Sequence, residues 1–172
     1  NIKCTGGFVG MIKVGFKRLT EDAMLPVKAH ATDSGFDLFA NEERIIKPGK
    51  TVVIKTGIAI KLPPGYEAQV RPRSGLTSKT KLRVQLGTID QDYTGEIGII
   101  ADNITNVDSV EADGNNLGDF LKDWEQKVLI KVNKGDRVAQ LVIVPIPAVE
   151  SYEIDKLEDT ERGKNGFGST GY

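Results

Sequence analysis

From Ile12 to Pro145 the chain is divided into short apolar segments about ten residues apart, separated by turn signals such as Lys47-Pro-Gly49, Leu62-Pro-Pro-Gly65 and Asn133-Lys-Gly-Asp136. That rhythm reads as an all-β chain. Ile58, Ile60 and Leu62 alternate with polar or small neighbours, as do Tyr66, Ala68 and Val70, which is the period of a sheet with one buried face. Val138 to Pro145 is more continuously apolar and predicts a strand covered on both faces. A sandwich, a jelly roll or a distorted barrel follows. The 172 residues read as one domain with a real core, spanning 11–149. Residues 150–161 are rich in charge and poor in apolar side chains, and read as an extended connector into a C-terminal arm, 150–172. Residues 1–10 fit no structural pattern and precede Met11, so they read as an expression remnant or an upstream extension.

Composition narrows the function classes. A net charge of -1 and a pI near 5.9 argue against a general nucleic-acid or membrane-surface binder, so any anion site must be local. Cys4 is the only cysteine, which rules out an intramolecular disulfide and a multi-cysteine metal site. No apolar run reaches membrane-spanning length and no signal-peptide pattern is found; a soluble, cytoplasmic protein is the expectation.

Between Asp102 and Lys127 the β rhythm lapses. Leu117, Phe120, Leu121 and Trp124 fall at i, i+3, i+4 and i+7, predicting a helix of two or three turns with Asn116 as its N-cap. Its apolar face either packs on the sheets or serves as a docking surface, and both readings stand at this level.

Three segments carry phosphate chemistry. Arg71-Pro-Arg73-Ser74-Gly75 reads as a turn with two guanidiniums, a hydroxyl and an exposed backbone N–H. Gly87-Thr-Ile89-Asp90-Gln-Asp92-Tyr93-Thr-Gly95 reads as a hairpin, in which Asp90 alone is no more than a turn aspartate. The tail, Arg162-Gly-Lys-Asn-Gly-Phe167-Gly-Ser169-Thr170-Gly-Tyr172, has four glycines that let backbone N–H groups approach an anion, hydroxyl donors, and an aromatic face for a nucleobase. Alone it reads first as a frayed terminus.

Order and combination add what the single segments lack. Ala31-Thr-Asp-Ser-Gly-Phe-Asp37-Leu-Phe-Ala40, Arg71 to Lys79, Gly87 to Ile97, Lys134-Gly-Asp-Arg137-Val-Ala-Gln140-Leu-Val-Ile-Val-Pro145, and the tail from Arg162 to Gly171 resemble, in order, the five motifs of the homotrimeric dUTPases. The resemblance implies a distorted jelly-roll or β-barrel with one short helix in an insertion and a flexible C-terminal arm. It also implies Mg²⁺-dependent hydrolysis of dUTP to dUMP and pyrophosphate. In that reading Gly87, Ile89 and the strand near Ile97 hold uracil through backbone groups. Tyr93 packs on deoxyribose and excludes a 2′-hydroxyl, while Asp90 orients the water that attacks the α-phosphorus. Arg73, Ser74, Gly75 and Gln140 bind the phosphate chain, and Asp37 reaches the magnesium through water. Phe167 stacks on uracil, Gly168, Ser169 and Thr170 close over the phosphates, and Arg162 acts in the manner of an arginine finger. The partners implied are dUTP and two further copies of the chain, the arm being exchanged between subunits. His30, the only histidine, reads as a surface or structural residue.

The chain departs from an ordinary member in two places. Between Gly95 and Gly135 lie 39 residues, roughly twenty more than usual and far longer than a common β-connection. This resembles the extended loop of some phage-encoded dUTPases, where the insertion has been linked to partner proteins including repressors; the location would then be the host cytoplasm. Gly87 is preceded by Val84-Gln-Leu86, where an Asn-Ser-Pro type of sequence is more usual. Two other classes are weighed: a dCTP deaminase on the same fold, and a regulatory interaction protein acting through residues 102–127. A P-loop NTPase is excluded, because no Gly-x-x-x-x-Gly-Lys-Ser/Thr occurs.

Overall fold

The computed structural model describes residues 12–111, 116–160 and 163. Its strands are β1 (Gly15–Arg18), β2 (Gly35–Phe39), β3 (Arg44–Ile46), β4 (Thr51–Lys55), β5 (Ile58–Lys61), β6 (Tyr66–Pro72), β7 (Leu82–Val84), β8 (Gly87–Ile89), β9 (Gly98–Asn103), β10 (Ile130–Val132) and β11 (Arg137–Pro145). Among the described residues two α-helices join them, α1 (Ser74–Lys79) and α2 (Leu117–Val128), with a single 3-10 turn at Val107–Ser109. A four-stranded sheet in the order β2-β11-β6-β8 and a three-stranded sheet β4-β9-β7 are supplemented by the ribbons β1-β5 and β3-β10. Every strand pair is antiparallel.

The core lies between these sheets. Leu38, Ile54, Ile58, Ile99 and Leu141, one from each of five strands, are fully buried, and each such side chain stabilises the fold by roughly 2 kcal/mol. On β6 the expected alternation is realised: Ala68 and Val70 are buried, while Glu67, Gln69 and Arg71 occupy the other face. These three form a hydrogen-bonded row, Arg71 donating through Nε and Nη2 to Gln69 Oε1 at 3.0 and 2.6 Å, and Gln69 Nε2 donating to Glu67 Oε1 at 2.5 Å. β11 departs from expectation. Val138, Ala139 and Leu141 are buried, but Val142, Ile143 and Val144, which alternate between the two faces, are only half-buried, so toward its C-terminal end the strand is incompletely covered on both sides.

The sequence predicts a single helix, in the insertion; α1 is a second one. It is six residues long and has no buried residue, so no apolar periodicity announces it. The predicted α2 is present, and Asn116 caps it by accepting from Asp119 N–H at 3.1 Å. Its apolar stripe is mostly uncovered: Leu117, Phe120 and Leu121 are exposed and Trp124 is half-buried. Among the helix's residues only Val128 is buried. That end is fastened by Asn103, whose buried amide donates to Ile46 O and Val128 O, both at 2.8 Å, while its Oδ1 accepts from Thr105 N–H and Thr105 Oγ1. After Ile146, whose N–H donates to Gly65 O at 2.7 Å, the chain continues through exposed Val149, Tyr152 and Leu157.

Candidate functional site

The predicted phosphate-binding residues meet at one corner of the four-stranded sheet. Strand β6 ends at Pro72, and Arg73 leads into α1, so Ser74 and Gly75 form the first turn of a helix whose leading N–H groups have no carbonyl of their own to meet. Register places Asp37 on β2 directly opposite Gln140 on β11, and Gln140 opposite Arg71 on β6, so all three point from the same face. A cavity of about 660 Å³ opens there, lined by Asp37, Arg73, Ser74, Gly75, Arg137 and Gln140, with Asp33 and Lys79 at its edge. The three cations Arg73, Arg137 and Lys79 outnumber the two carboxylates, Asp33 and Asp37, which suits an anion.

The side chains of this corner are held by one another. Asp37 accepts an ion pair from Arg73 Nε at 3.0 Å through Oδ1 and from Arg137 Nη1 at 3.3 Å through Oδ2, with only 15% of its side chain exposed. Arg73 also donates from Nη1 to Arg137 O at 3.0 Å. Gln140 donates through Nε2 to Pro72 O at 2.9 Å, which leaves its second N–H for a ligand. Gly35 makes room for that amide, since a Cβ there would stand 2.8 Å from Gln140 Oε1 and 3.3 Å from Val142 Cγ2. Arg137, which neutralises half of the Asp37 carboxylate, received no role from the sequence; its place in the fourth motif, three residues before Gln140, was the available signal.

The hairpin is built differently. Gly87 and Ile89 lie on β8, paired with Val70 and Ala68 of β6, and Ile89 is buried. Asp90 follows on the loop and is exposed. Tyr93 is 46% exposed and donates its hydroxyl to Glu96 O at 2.9 Å. Its ring lies across Gly95, where a Cβ would come within 2.4 Å of the Tyr93 hydroxyl. The return limb is fixed to the body by Glu96 Oε1, which accepts from Gly57 N–H at 2.7 Å, by Ile97 N–H, which donates to Ile58 O at 2.8 Å, and by Ile97 O, which accepts from Thr56 Oγ1 at 2.6 Å.

One chain therefore does not bring its predicted site together. Ile89 pairs with Ala68, so Asp90 falls level with Glu67, whereas Arg73 lies beyond the other end of β6. At about 3.3 Å per residue those six positions separate Asp90 from Arg73 by roughly 20 Å. The separation follows from the β6-β8 register. Arg162, Phe167, Gly168, Ser169 and Thr170 lie outside the described residues.

Asp37 is the only metal-associated residue expected from the sequence, and among the described residues no group of three or more His, Cys, Asp or Glu side chains forms a protein-built metal site. A single carboxylate, already paired on both oxygens, fits a hydrated ion carried mainly by a ligand and does not fit an all-protein cage.

Comparison with known proteins covers most of the chain. The family model described as dUTPase matches residues 21–113 and 125–171. The deoxyuridine 5'-triphosphate nucleotidohydrolase of Clostridium tetani is 46% identical over 157 residues, which span 90% of this chain and 94% of that protein. The dUTPase of Staphylococcus bacteriophage 80alpha, solved with dUPNHPP, superposes with a TM-score of 0.78 at 33% identity, covering 93% of this chain and 99% of that one. The dUTPase of phage phi11 of S. aureus, a mutant of which was solved for the coordination of a structural Mg(II) ion, gives a TM-score of 0.71 at 31% identity and covers 86% and 99%.

Proposed function

The chain belongs to the dUTPase family and hydrolyses dUTP to dUMP and pyrophosphate, and we propose that it does so at a site shared between copies of itself. The observation that carries this proposal is the separation of roughly 20 Å between Asp90 and Arg73, set by strand register. A water poised at the α-phosphorus and a guanidinium on the same phosphate chain must lie within a few ångströms of one ligand, so the hairpin of one chain faces the charged corner of another. Cyclic assembly of three copies supplies such contacts at every site, with residues 150–172 as the arm that reaches across.

The phosphate chain enters the cavity at Arg73, Arg137 and the first turn of α1, where Gln140 gives its remaining N–H. Binding an anion there displaces part of the Asp37 ion pairs and frees that carboxylate. Asp37 would hold a hydrated Mg²⁺ through water, and such an ion would neutralise charge on the phosphates. Asp90 orients the attacking water and accepts its proton, the role of a general base with little binding duty. Tyr93, held over Gly95 by its bond to Glu96 O, presents a flat face to the sugar and leaves no space for a 2′-hydroxyl. Gly87 and Ile89 offer backbone groups to uracil. Phe167 stacks on the base, Gly168, Ser169 and Thr170 cover the phosphates, and Arg162 adds positive charge in the transition state. Closure excludes water. Among the described residues no helix is long and apolar enough to cross a membrane, and the proposed place of work is the cytoplasm.

Pyrophosphate release measured across dUTP, dTTP, dCTP and UTP tests this reading. Turnover of dUTP alone is expected. Ammonia release from dCTP would overturn it in favour of a deaminase.

A second, additional role is favoured by α2. Leu117, Phe120 and Leu121 stand exposed on one stripe, and Leu121, Trp124 and Val128 line a groove of about 360 Å³ with Lys47 and Pro48. We infer a protein-docking surface on the insertion, of the kind expected for a repressor-like partner. Replacing residues 106–126 by a short glycine-serine linker keeps Asn103, Thr105 and Val128 in place. Full dUTP turnover with loss of captured partners is expected; retention of every partner would sink the docking role.

A further inference from the structure

We propose that Arg83 on β7 is a positioning residue for the phosphate-binding turn, acting through the C-terminal end of α1. A helix of six residues, of which only Leu76 leans on the core and that one only half-buried, cannot hold itself, since helix formation in isolation needs about twelve residues or more. Its own sequence, Ser74-Gly75-Leu76-Thr77-Ser78-Lys79, is poor in helix formers. Something outside it must fix where Ser74 and Gly75 stand.

Arg83 does so from below. Its Nη1 donates to Thr77 O at 3.1 Å, Thr80 O at 2.9 Å and Leu82 O at 2.8 Å, gathering the carbonyls at the end of the helix and just beyond it onto one charged group. Thr80 Oγ1 donates to Leu76 O at 2.8 Å and accepts from Leu82 N–H at 3.1 Å, which seats the same end on the start of β7. A cation among the final carbonyls is also favourable to the helix dipole. The guanidinium is kept in place by its strand, because β7 is paired through Leu82, Arg83 and Val84 to Asn103, Asp102 and Ala101 of β9. Position is thus transmitted from the three-stranded sheet through Arg83 to the far end of α1. Ser74 and Gly75 line the cavity at the helix's other end, about one and a half turns away. Arg83 itself is absent from that lining and belongs to none of the five motifs.

This inference rests on the proposed role of the Arg73-Ser74-Gly75 turn in binding phosphates, so the experiment separates the two. Binding of dUpNHpp and of deoxyuridine, which has no phosphate, is measured by calorimetry for the full-length protein and for Arg83→Met, Arg83→Lys and Arg73→Met. Arg83→Met keeps much of the stem volume and removes the donors; its affinity for dUpNHpp is expected to fall at least fivefold, with deoxyuridine binding within twofold of the parent. Arg83→Lys, whose ammonium still donates to carbonyls, is expected to recover most of the loss. Equal weakening of both ligands in Arg83→Met would reduce Arg83 to general stability and overturn the proposal, as would a lack of rescue by lysine. If Arg73→Met loses dUpNHpp affinity and Arg83→Met does not, the positioning role alone fails. If Arg73→Met keeps full affinity, the phosphate role of the turn fails and takes this inference with it.

Discussion

The charged corner and the hairpin hold residues assigned to one reaction, yet they are constructed on opposite principles. At the corner, Asp37 is paired with two arginines, Gln140 is tied to Pro72, and each group's position depends on another's. On the hairpin, Asp90 is exposed and the Tyr93 hydroxyl donates to a carbonyl three residues away. Like charges crowded on a sheet face repel, so a cation cluster built for a polyanion needs an internal counterion while the ligand is absent. A general base and a steric wall need no such counterion. In the proposed shared site they need only the right distance from a substrate held at the charged corner of another copy of the chain.

The largest effect should come from dividing the two regions genetically. Asp90→Asn is expected to lower kcat by at least about a hundredfold with dUpNHpp affinity nearly intact, and Arg73→Met to weaken dUpNHpp binding. Refolding the two inactive chains together in equal amounts should return about a quarter of the parental activity, because one site in four then pairs a sound corner with a sound hairpin. No recovery in a mixed assembly confirmed by mass spectrometry would mean that each chain supplies both regions to its own site.

Next in size is Gly95→Ala. The added methyl would overlap the Tyr93 ring at 2.4–3.0 Å and turn it off the sugar position. The preference for dUTP over UTP, read as a ratio of kcat/KM values, should fall about tenfold or more, since displacement of a positioning group by an ångström has consequences of that order. An unchanged ratio would free Tyr93 from the discrimination.

Gly35→Ala attacks the corner instead. Its methyl would press on Gln140 Oε1 and Val142 Cγ2, and a stability loss of about 1–2 kcal/mol in urea unfolding is expected from the overpacking. KM for dUTP should rise severalfold with kcat little changed. A fall in kcat alone would move Gln140 from binding to chemistry.

The smallest effect lies away from both regions and serves as their baseline. Hydrogen bonds from Thr51 and then Gln85 hold the Asp102 carboxyl below its ordinary value of 3.8. A lowered folded-state value stabilises the fold above pH 3.8, and that contribution is lost as pH falls through the folded value. Asp102→Asn should therefore differ slightly from the parent in melting temperature at pH 6, and the gap should narrow as pH falls below 3.8. A gap that widens in acid would reverse the assignment.

The β-body was legible because its signal is local. Alternation placed Ala68 and Val70 inside and Gln69 outside, and turn chemistry marked the strand ends. Asn116 and the stripe from Leu117 to Trp124 announced α2 for the same reason, although the exposure of that stripe depends on what the rest of the molecule leaves beside it. Helix α1 was not legible: six residues that include Ser74, Gly75, Thr77 and Ser78 carry neither periodicity nor propensity, and their contacts outside the helix are the half-buried Leu76 on the core and the hydrogen bonds of Thr80 and of Arg83 from the next strand. The Asp37–Arg137 pair spans 100 residues and is decided by β2-β11 pairing. Motif order named the candidate members of the site, but not their distance apart, because the register of β8 on β6 is a tertiary fact.

Asn103 has a consequence for how such a protein can change over generations. One buried amide ties Ile46 of β3 to the final residue of α2, so the segment that leaves the sheets at Thr105 returns at Val128 to a junction that is already saturated with hydrogen bonds. Segments of differing length and sequence can be exchanged at that junction without rewriting the sheets. Natural variation in this family should then concentrate in a replaceable cassette while the catalytic body stays under constraint, and grafting a foreign loop between those two residues should yield a folded hybrid.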